Sequence, residues 1–283
     1  MNYRHAYHAG NFADVFKHII LARLVDYMKG KEKAFRIYDT HAGLGRYNLA
    51  SVEAGKTGEA ELGVAKVLSA TVSPAVAEII APWKEAVAAS PEGTYPGSPA
   101  VARHLMRKQD RLALYELHEE DHPVLASNFA GDYQTRVQHL DGWLAAGAHT
   151  PPKEARGIML IDPPFEDGHD FDRMIDALEK CRKRWAGGTV ALWYPVKKRD
   201  HTDEWLGTLQ TMGFPDLLNA ELVVKRPNDP KSLNGCGMVI ANPPYTLREE
   251  LNTLLPWLAG VLRQQDGLKA SDGFRIQNLS GRS

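Results

Sequence analysis

Short apolar runs rich in β-branched and aromatic residues alternate with segments of helical spacing along most of the chain. Five of these runs are predicted strands, and they cover residues 34–42, 111–118, 135–141, 157–164 and 189–196. Strands that alternate with helices are joined by right-handed crossovers, so this order predicts an α/β fold with a mainly parallel sheet.

Two further predicted strands, 218–225 and 237–244, follow without room for a helix between them. The connecting sequence RPNDPKSLNGC is rich in turn-forming residues. It is too short for a parallel crossover, which needs about a dozen residues or more and usually a helix. The two strands are therefore predicted to pair antiparallel. We expect a sheet of seven strands that is mainly parallel and ends in a reversed hairpin.

A helix is predicted before the first strand, with Asn11 as its N-terminal cap and Asp14 favourably placed in its first turn. Its apolar stripe consists of Phe12, Phe16, Ile20, Leu24 and Met28. This stripe predicts that the helix packs on the sheet.

The first and second predicted strands are separated by roughly seventy residues, far more than an ordinary crossover needs. The sequence GVAKVLSATVSPAVAEIIAPWKEAVAA in this segment predicts helices with breaks at Pro74 and Pro82. We interpret about 50–95 as a small helical insertion within one domain that spans residues 1–283.

The charge balance is nearly neutral, with 34 basic and 35 acidic residues and a formal net charge of −1. A nucleic-acid partner would therefore have to meet a local basic surface. The 2 cysteines lack CxxC spacing, which argues against a zinc site or a disulfide framework and favours a reducing cytoplasm. The N-terminus lacks an apolar export segment, and no run approaches about 18 apolar residues. We expect a cytoplasmic protein without a membrane span.

Glycine and acidic residues follow three predicted parallel strands. Gly43 and Gly45 follow the first strand, Glu116 ends the second, and Asp141 and Gly142 end the third. An open α/β sheet binds its ligand at this edge, where glycine allows close approach and a carboxylate accepts ribose hydroxyls. A nucleoside pocket is therefore predicted. Solvation of the Glu116 charge and capping of a helix by Asp141 are alternatives.

The cofactor predicted for this pocket is S-adenosylmethionine. No GxGxxG motif is followed by an acidic residue after about twenty positions, so a dinucleotide fits poorly. A reversed hairpin after five parallel strands is typical of class I methyltransferases, whose sheet is Rossmann-like. The sequence thus favours that class.

Two similar tetrapeptides compete for the catalytic role, Asp162-Pro163-Pro164-Phe165 and Asn242-Pro243-Pro244-Tyr245. The second has the sequence that amino-group methyltransferases use in their catalytic loop. In either, a side-chain oxygen and the first proline's carbonyl can accept the two N–H groups of an adenine amine, which exposes the nitrogen lone pair. The aromatic residue can stack on the base, and aspartate can also take the released proton.

The two tetrapeptides follow strands of opposite direction, so they are predicted to lie at opposite edges of the sheet. Asp162 ends the fourth parallel strand, on the side of the sheet where the glycine turn lies. Asn242 ends a strand predicted to run in reverse, so it should lie at the opposite edge. We therefore predict that Asp162, Pro163 and Phe165 are catalytic and that Asn242 belongs to a strand-ending turn.

Motifs over nearly the whole chain resemble the bacterial 23S ribosomal RNA adenine-N6 methyltransferase J family. These motifs are YRHAYHAGNFADVFKH, DTHAGLGRY, YPGSP, LYELH, the DG of Asp141-Gly142, LIDPPF, ALWYPV and NPPY. The resemblance implies a cytoplasmic, monomeric class I enzyme that transfers a methyl group from S-adenosylmethionine to N6 of a single adenine. The implied partner is 23S ribosomal RNA, and no metal is implied.

The resemblance also implies roles for individual residues. The implied cofactor contacts are His18, His41, Gly43, Ser98, Glu116, Asp141, Gly142 and Asp162, and Asp162 is also the implied catalytic acceptor. The residues expected to contact substrate RNA are Tyr3, Arg4, His5 and Lys17. Phe165 stands where relatives have tyrosine, but stacking does not need the hydroxyl.

Less specific interpretations remain open for several of these residues. The N-terminal cluster could be a disordered terminus, Lys17 and His18 could lie on a solvated helix face, and Ser98 could cap a helix. The alternative functions are a DNA adenine-N6 methyltransferase, a protein-glutamine methyltransferase suggested by Asn242, and an inactive nucleoside-binding protein.

Overall fold

The computed structural model describes residues 8–50, 58–166 and 168–280. The strands are β1 (Arg36–Asp39), β2 (Arg46–Asn48), β3 (Thr94–Pro96), β4 (Arg111–Tyr115), β5 (Thr135–Gln138), β6 (Gly157–Ile161), β7 (Thr189–Val196), β8 (Leu217–Val223), β9 (Gly235–Ala241) and β10 (Phe274–Asn278). The α-helices are α1 (Phe12–Lys29), α2 (Lys66–Ser69), α3 (Pro74–Ala88), α4 (Ser98–Leu105), α5 (Asp121–Asn128), α6 (Leu144–Ala148), α7 (Asp170–Arg184), α8 (Arg199–Thr211) and α9 (Leu247–Leu262).

The main sheet has the strand order β10-β8-β9-β7-β6-β1-β4-β5. Strands β5, β4, β1, β6 and β7 pair in parallel, so their carboxyl ends share one edge of the sheet. Strand β9 runs antiparallel to both β7 and β8. The mixed, mainly parallel α/β sheet and its reversed hairpin are therefore confirmed.

An eighth strand of this sheet, β10, was not predicted from the sequence. It pairs antiparallel with β8 at the edge and is only partly buried, so it lacks the apolar run that identifies a central strand. The buried carboxylate of Glu221 on β8 attaches it, since Arg275 on β10 donates to both carboxylate oxygens at 2.8 and 2.9 Å. Arg199 donates to the same carboxylate from α8.

Successive side chains along each strand point to opposite faces of the sheet, so a hydrophobic core forms on each side. Ile37 and Ile158 pack in a cluster with α1, α3, α4 and α9, whereas Tyr38 and Met159 pack in a second cluster with α6, α7 and α8. The fold thus has three layers, with helices on both faces of the sheet. This arrangement leaves the carboxyl edge of the parallel strands open for a ligand.

Helix α1 begins as predicted, because the Asn11 side chain accepts from the backbone amides of Ala13 and Asp14 at 2.9 Å each. It is buried on nearly all sides, since it contacts the sheet as well as α3 and α4. Polar residues of α1 are buried with it. This burial brings Asp14, Lys17 and His18 into the interior.

The segment between β2 and β3 contains a π-helical turn (Glu61–Ala65), α2 and α3. Strands β2 and β3 pair antiparallel, so this segment leaves and rejoins the domain at a two-stranded ribbon. The predicted break at Pro82 is wrong, because α3 continues from Pro74 through Pro82 to Ala88. Burial of Ile80 and Trp83 beside the proline compensates for the lost backbone hydrogen bond.

No helix in residues 8–50, 58–166 or 168–280 is both long and apolar enough to span a bilayer.

Candidate active site

A cavity of about 1140 Å³ lies at the carboxyl edge of the parallel strands. It collects residues from α1, from the loops after β1, β4, β5, β6 and β7, and from the start of α4. The predicted site residues that line it are Lys17, His18, His41, Gly43, Ser98, Glu116, Asp141, Gly142, Asp162, Pro163 and Phe165. Tyr3, Arg4 and His5 lie outside the described residues. The sequence therefore predicted a set of residues that the fold brings together.

Glycines at two turns allow the backbone to close tightly around the cavity. Gly43 has a φ of +58°, and a Cβ there would lie 2.2 Å from the Tyr47 hydroxyl oxygen. A Cβ at Gly142 would lie 1.8 Å from the Thr40 carbonyl oxygen. Both positions are therefore restricted to glycine, and the turn after β5 packs directly on the backbone that follows β1.

Two carboxylates form the cavity wall at the ends of β4 and β5. Glu116 accepts from the backbone amides of Gly43 at 2.8 Å and His118 at 2.8 Å. Asp141 accepts from the amide of Trp143 at 3.0 Å, so it caps the turn into α6 as well as lining the cavity. Each carboxylate has about four lone-pair sites, and these bonds leave capacity to accept further hydroxyl groups.

The Asp162 carboxylate is bound to an ammonium group on α1. Lys17 Nζ lies 2.5 Å from Asp162 Oδ2 and 3.1 Å from Asp14 Oδ1. Burial disfavours the Lys17 charge, but the two carboxylates outweigh this effect and raise the pKa of Lys17 well above its usual value. Lys17 is only 5% exposed, so it does not lie on a solvated helix face.

The residues after Asp162 form a stiff loop with an aromatic side chain at its end. Phe165 has a φ of +52°, and its ring centroid lies 5.1 Å from that of Phe171 and 5.8 Å from that of Trp193. The Phe165 ring is only partly buried and lines the cavity. These contacts fix an aromatic surface beside the Asp162 carboxylate.

Two histidines in the cavity wall have defined partners. His18 Nδ1 lies 3.0 Å from the Tyr95 hydroxyl, and the two rings stack. The Thr40 hydroxyl donates to the carbonyl of Leu160 at 3.0 Å and lies 2.8 Å from His41 Nδ1. The Thr40 hydroxyl therefore holds the His41 ring against the end of β6. Burial and the charge of Arg173 lower the pKa of His41.

Ser98 is the first residue of α4 rather than its cap, because Gly97 occupies the cap position. Its side chain is buried in the cavity wall. The interpretation of Ser98 as a helix cap is therefore wrong.

Asp39, the last residue of β1, lies behind this wall. Among the described residues, neither of its buried carboxylate oxygens has a close and well-aligned hydrogen-bond donor. Burial raises the pKa of Asp39 to about 6, although Ser98 and Lys17 nearby oppose the rise.

The second proline tetrapeptide lies at the opposite edge of the sheet, as predicted, because it follows the antiparallel strand β9. The Asn242 side chain donates to the carbonyls of Ala186 and Gly188 at 2.8 Å each. Pro243, Pro244 and Tyr245 line a separate, smaller pocket. Asn242 thus closes a turn, and its tetrapeptide contributes nothing to the cavity that contains Asp162.

Several residues of the cavity were not predicted as site residues from the sequence. They include Asp14, Trp143, Arg173, Trp193, Lys197, Lys225 and Lys231. Asp14 and Lys17 are three positions apart on one helix, which is a spacing that could have indicated an ion pair. The lysines come from the reversed hairpin and the loop after β7, and no local motif identifies them.

Comparison with known proteins gives consistent matches over most of the chain. A family model described as "Ribosomal RNA large subunit methyltransferase D, RlmJ" matches residues 32–273. Ribosomal RNA large subunit methyltransferase J of Haemophilus influenzae is 41% identical over 267 residues, which cover 93% of this chain and 94% of that protein. The protein of the same name from Escherichia coli is 40% identical over 263 residues, with the same coverage of 93% and 94%.

A solved structure agrees with the fold over nearly its full length. The crystal structure of a Legionella pneumophila protein matches with a TM-score of 0.84 and 30% sequence identity, and covers 97% of this chain and 98% of that one. The sequence relatives and the solved structure therefore both match this chain over nearly its full length. The chain belongs to the ribosomal RNA large subunit methyltransferase J family.

Proposed function

We propose that this protein transfers a methyl group from S-adenosylmethionine to the exocyclic N6 of a single adenine in 23S ribosomal RNA. It is proposed to act as a monomer in the cytoplasm, without a metal ion. One observation carries the proposal. The Asp162-Pro163-Pro164-Phe165 loop opens into the same cavity as the carboxylates of Glu116 and Asp141. A carboxylate that can accept the N–H groups of an amine and a wall that can accept ribose hydroxyls are thus adjacent.

The cavity wall suits S-adenosylmethionine in its hydrogen-bond acceptors and in its charge. Glu116 and Asp141 can accept ribose hydroxyls, and the glycines at positions 43 and 142 keep the backbone close to the cavity. S-adenosylmethionine carries a sulfonium and an ammonium group, so an acidic wall favours its binding. When bound, it supplies an electrophilic methyl group.

The proposed task of Asp162 and Pro163 is to bind and orient the adenine amine. The lone pair of this amine is delocalised into the ring, so the amine is a poor nucleophile. Lys17 contacts Asp162 Oδ2, which leaves Oδ1 to accept one N–H group. The carbonyl of Pro163 can accept the other. Together the two acceptors favour a tetrahedral nitrogen, and Phe165 offers a surface for base stacking.

Methylation makes the amine nitrogen positively charged, so one of its protons must leave. The Asp162 carboxylate is the nearest proton acceptor that this loop offers. Lys17 retains its proton because both neighbouring carboxylates favour its charged form. The proton is therefore proposed to pass to Asp162 and then to solvent.

The alternatives differ in the molecule that accepts the methyl group. A protein-glutamine methyltransferase would use the Asn242 tetrapeptide, which is at the opposite edge of the sheet from the carboxylate wall. A DNA adenine methyltransferase would share the loop chemistry, and an inactive nucleoside-binding protein would bind the cofactor without transfer.

One transfer assay separates these functions. The protein is incubated with tritiated S-adenosylmethionine and with total RNA, DNA or protein from cells that lack its gene. Label is expected in large-subunit RNA and, after digestion to nucleosides, in N6-methyladenosine. Label in DNA or in glutamine, or cofactor binding with no transfer, would refute the proposal.

A further inference from the structure

Three lysines line one side of the cavity and form no ion pair within the described residues. They are Lys197 after β7, Lys225 after β8 and Lys231 before β9, and we call them the lysine rim. Lys197 and Lys231 are exposed, and Lys225 is partly exposed. Unpaired lysines at the mouth of a cavity form a concentrated positive surface on a chain whose net charge is −1.

Strand direction explains why these lysines share one edge. β7 and β8 are each antiparallel to β9, so their carboxyl ends meet the beginning of β9. The buried Asn234 connects the three segments, because its side chain donates to the carbonyls of Lys197 and Asp229 at 2.8 Å each. Its own carbonyl accepts from the amide of Lys225 at 3.1 Å. The rim is therefore held on an ordered backbone.

The opposite side of the cavity is acidic. Glu116, Asp121 and Asp141 line it beyond the ends of β4 and β5. A polyanion would be repelled from that wall and attracted to the lysine rim. Asp229 is the nearby acidic residue in the hairpin loop, and its carboxylate accepts from the backbone amide of Lys231 at 2.9 Å. The rim has three lysines against this one carboxylate of the hairpin loop, and so carries an excess of positive charge.

The order of the strands places the rim next to the proposed methylation site. β6, which ends at the Asp162 loop, pairs with β7, and β7 leads to Lys197. Trp193 on β7 lies at this boundary, since its ring lies 5.8 Å from that of Phe165 and it lines the cavity. For a nucleotide whose base reaches Asp162, β7 and the hairpin offer an adjacent surface for its neighbouring phosphates.

We propose that the lysine rim binds phosphate groups next to the target adenine of the RNA. This inference rests on the proposed function, because it assigns a binding surface to the same substrate. The contacts act on the backbone of the RNA, so they position the substrate without selecting its sequence. They contribute to RNA affinity and leave the chemical step to the Asp162 loop.

The test is a charge-neutralising triple variant, Lys197→Gln, Lys225→Gln and Lys231→Gln. The matched control is Lys33→Gln, Lys108→Gln and Lys153→Gln, which removes three exposed lysines that precede β1, β4 and β6 at the other edge of the sheet. Binding to a large-subunit RNA fragment and to single-stranded DNA of the same sequence is measured over a range of salt concentrations. Methylation kinetics and cofactor affinity are measured on the same samples.

The rim variant is expected to weaken RNA binding about tenfold or more at roughly 100 mM salt. The slope of log affinity against log salt should fall by about 2, since each contact to a single strand contributes about 0.7. The KM for RNA should rise, while kcat and cofactor affinity stay within about twofold of the parent. The control variant should bind RNA like the parent.

Equal RNA binding and equal salt slopes in the rim and control variants would overturn the inference. The inference would also be overturned if the rim variant lost affinity only for single-stranded DNA and its KM for RNA were unchanged. If the parent protein methylates RNA in either case, the proposed function still holds although the lysine rim does not bind RNA. A parent that neither binds nor methylates RNA would refute both.

Discussion

The Lys17 ammonium group lies 2.5 Å from the Asp162 carboxylate, although 145 residues separate the two in sequence. Lys17 is on the helix that precedes the first strand, whereas Asp162 follows the fourth parallel strand of the sheet. The proposed catalytic carboxylate is thus fixed by a helix that lies outside the repeated strand-helix units. Packing of α1 is therefore expected to affect activity directly.

Substitution of Asp162 should show which of the two proline tetrapeptides is catalytic. Asp162→Ala removes a charge-assisted contact worth about 1.5–3 kcal/mol, which corresponds to a rate loss of about ten- to a hundredfold. Loss of the proton acceptor adds to this effect, at roughly 10²–10⁴-fold. Turnover is measured with cofactor affinity and circular dichroism, which should show a folded protein that still binds S-adenosylmethionine.

The control for that prediction is Asn242→Ala. It removes the two hydrogen bonds to Ala186 and Gly188 and places alanine at a φ of +50°, so stability should fall by about 1–3 kcal/mol. Turnover per folded molecule should stay within a few-fold of the parent. An inactive but folded Asn242→Ala protein beside an active Asp162→Ala protein would reverse the assignment.

Removal of the Lys17 charge should reduce both stability and activity. Lys17→Met removes the ammonium group that contacts the carboxylates of both Asp14 and Asp162, and breaking a buried pair costs about 3–5 kcal/mol. Lys29→Met on the same helix removes a partly exposed pair with Asp26 and should cost about 1 kcal/mol or less. Denaturant unfolding compares the two variants.

The double variant Asp14→Asn/Lys17→Met should recover part of the stability, because Asp14→Asn removes the buried carboxylate charge that Lys17 contacts on α1. It should remain slow in methylation, since Asp162 is still without its ammonium partner. Full recovery of activity would mean that Lys17 serves only the fold.

The buried Asp39 should make stability depend on pH. Its pKa is raised from 3.8 to about 6, so protonation favours the folded state. This contribution is fully present below about pH 3.8 and is lost as the pH rises through about 6. Relative to the parent, Asp39→Asn should therefore gain stability between pH 4 and pH 7, by about 3 kcal/mol at most.

The measurement for Asp39 is the difference in unfolding free energy between the two proteins at several pH values, because contributions common to both proteins cancel. Asp39→Asn retains the shape of the side chain. A difference that does not change with pH would show that the Asp39 carboxyl has an ordinary pKa in the folded protein.

Methylation should require an unpaired adenine. The Asp162 side chain is only 16% exposed in the cavity wall, and a base stacked in a duplex cannot reach it. An RNA with the target adenine in a loop should react much faster than the same sequence locked in a stable duplex. Initial rates at equal RNA concentration provide the comparison, and equal rates would contradict a recessed site.

Much of the fold was predictable because local patterns and global packing agree. The apolar runs of β6 and β7, the cap at Asn11 and the short connection between β8 and β9 each identify an element without tertiary information. β10 was missed because it is a partly buried edge strand whose attachment depends on the distant Glu221. The continuation of α3 through Pro82 also depends on packing rather than on propensity.

In the candidate site, too, some features could be predicted from the sequence and others depend on packing. Gly43, Glu116 and Asp162 follow strands, so their common edge could be predicted from strand direction alone. The burial of Lys17 could not, because it depends on α1 being enclosed between the sheet and two helices. The lysine rim was also missed, since its members are separated in sequence and their convergence requires the reversed hairpin.

The turn after β9 also provides a place to attach a fluorescent label. The Tyr245 side chain is 85% exposed and lies at the opposite edge from the cavity. The chain's own thiols, Cys181 and Cys236, are buried, and burial raises the pKa of both. A cysteine introduced by Tyr245→Cys should therefore react selectively with a maleimide dye. Such a conjugate would report on RNA encounters by fluorescence anisotropy while the methylation site stays unobstructed.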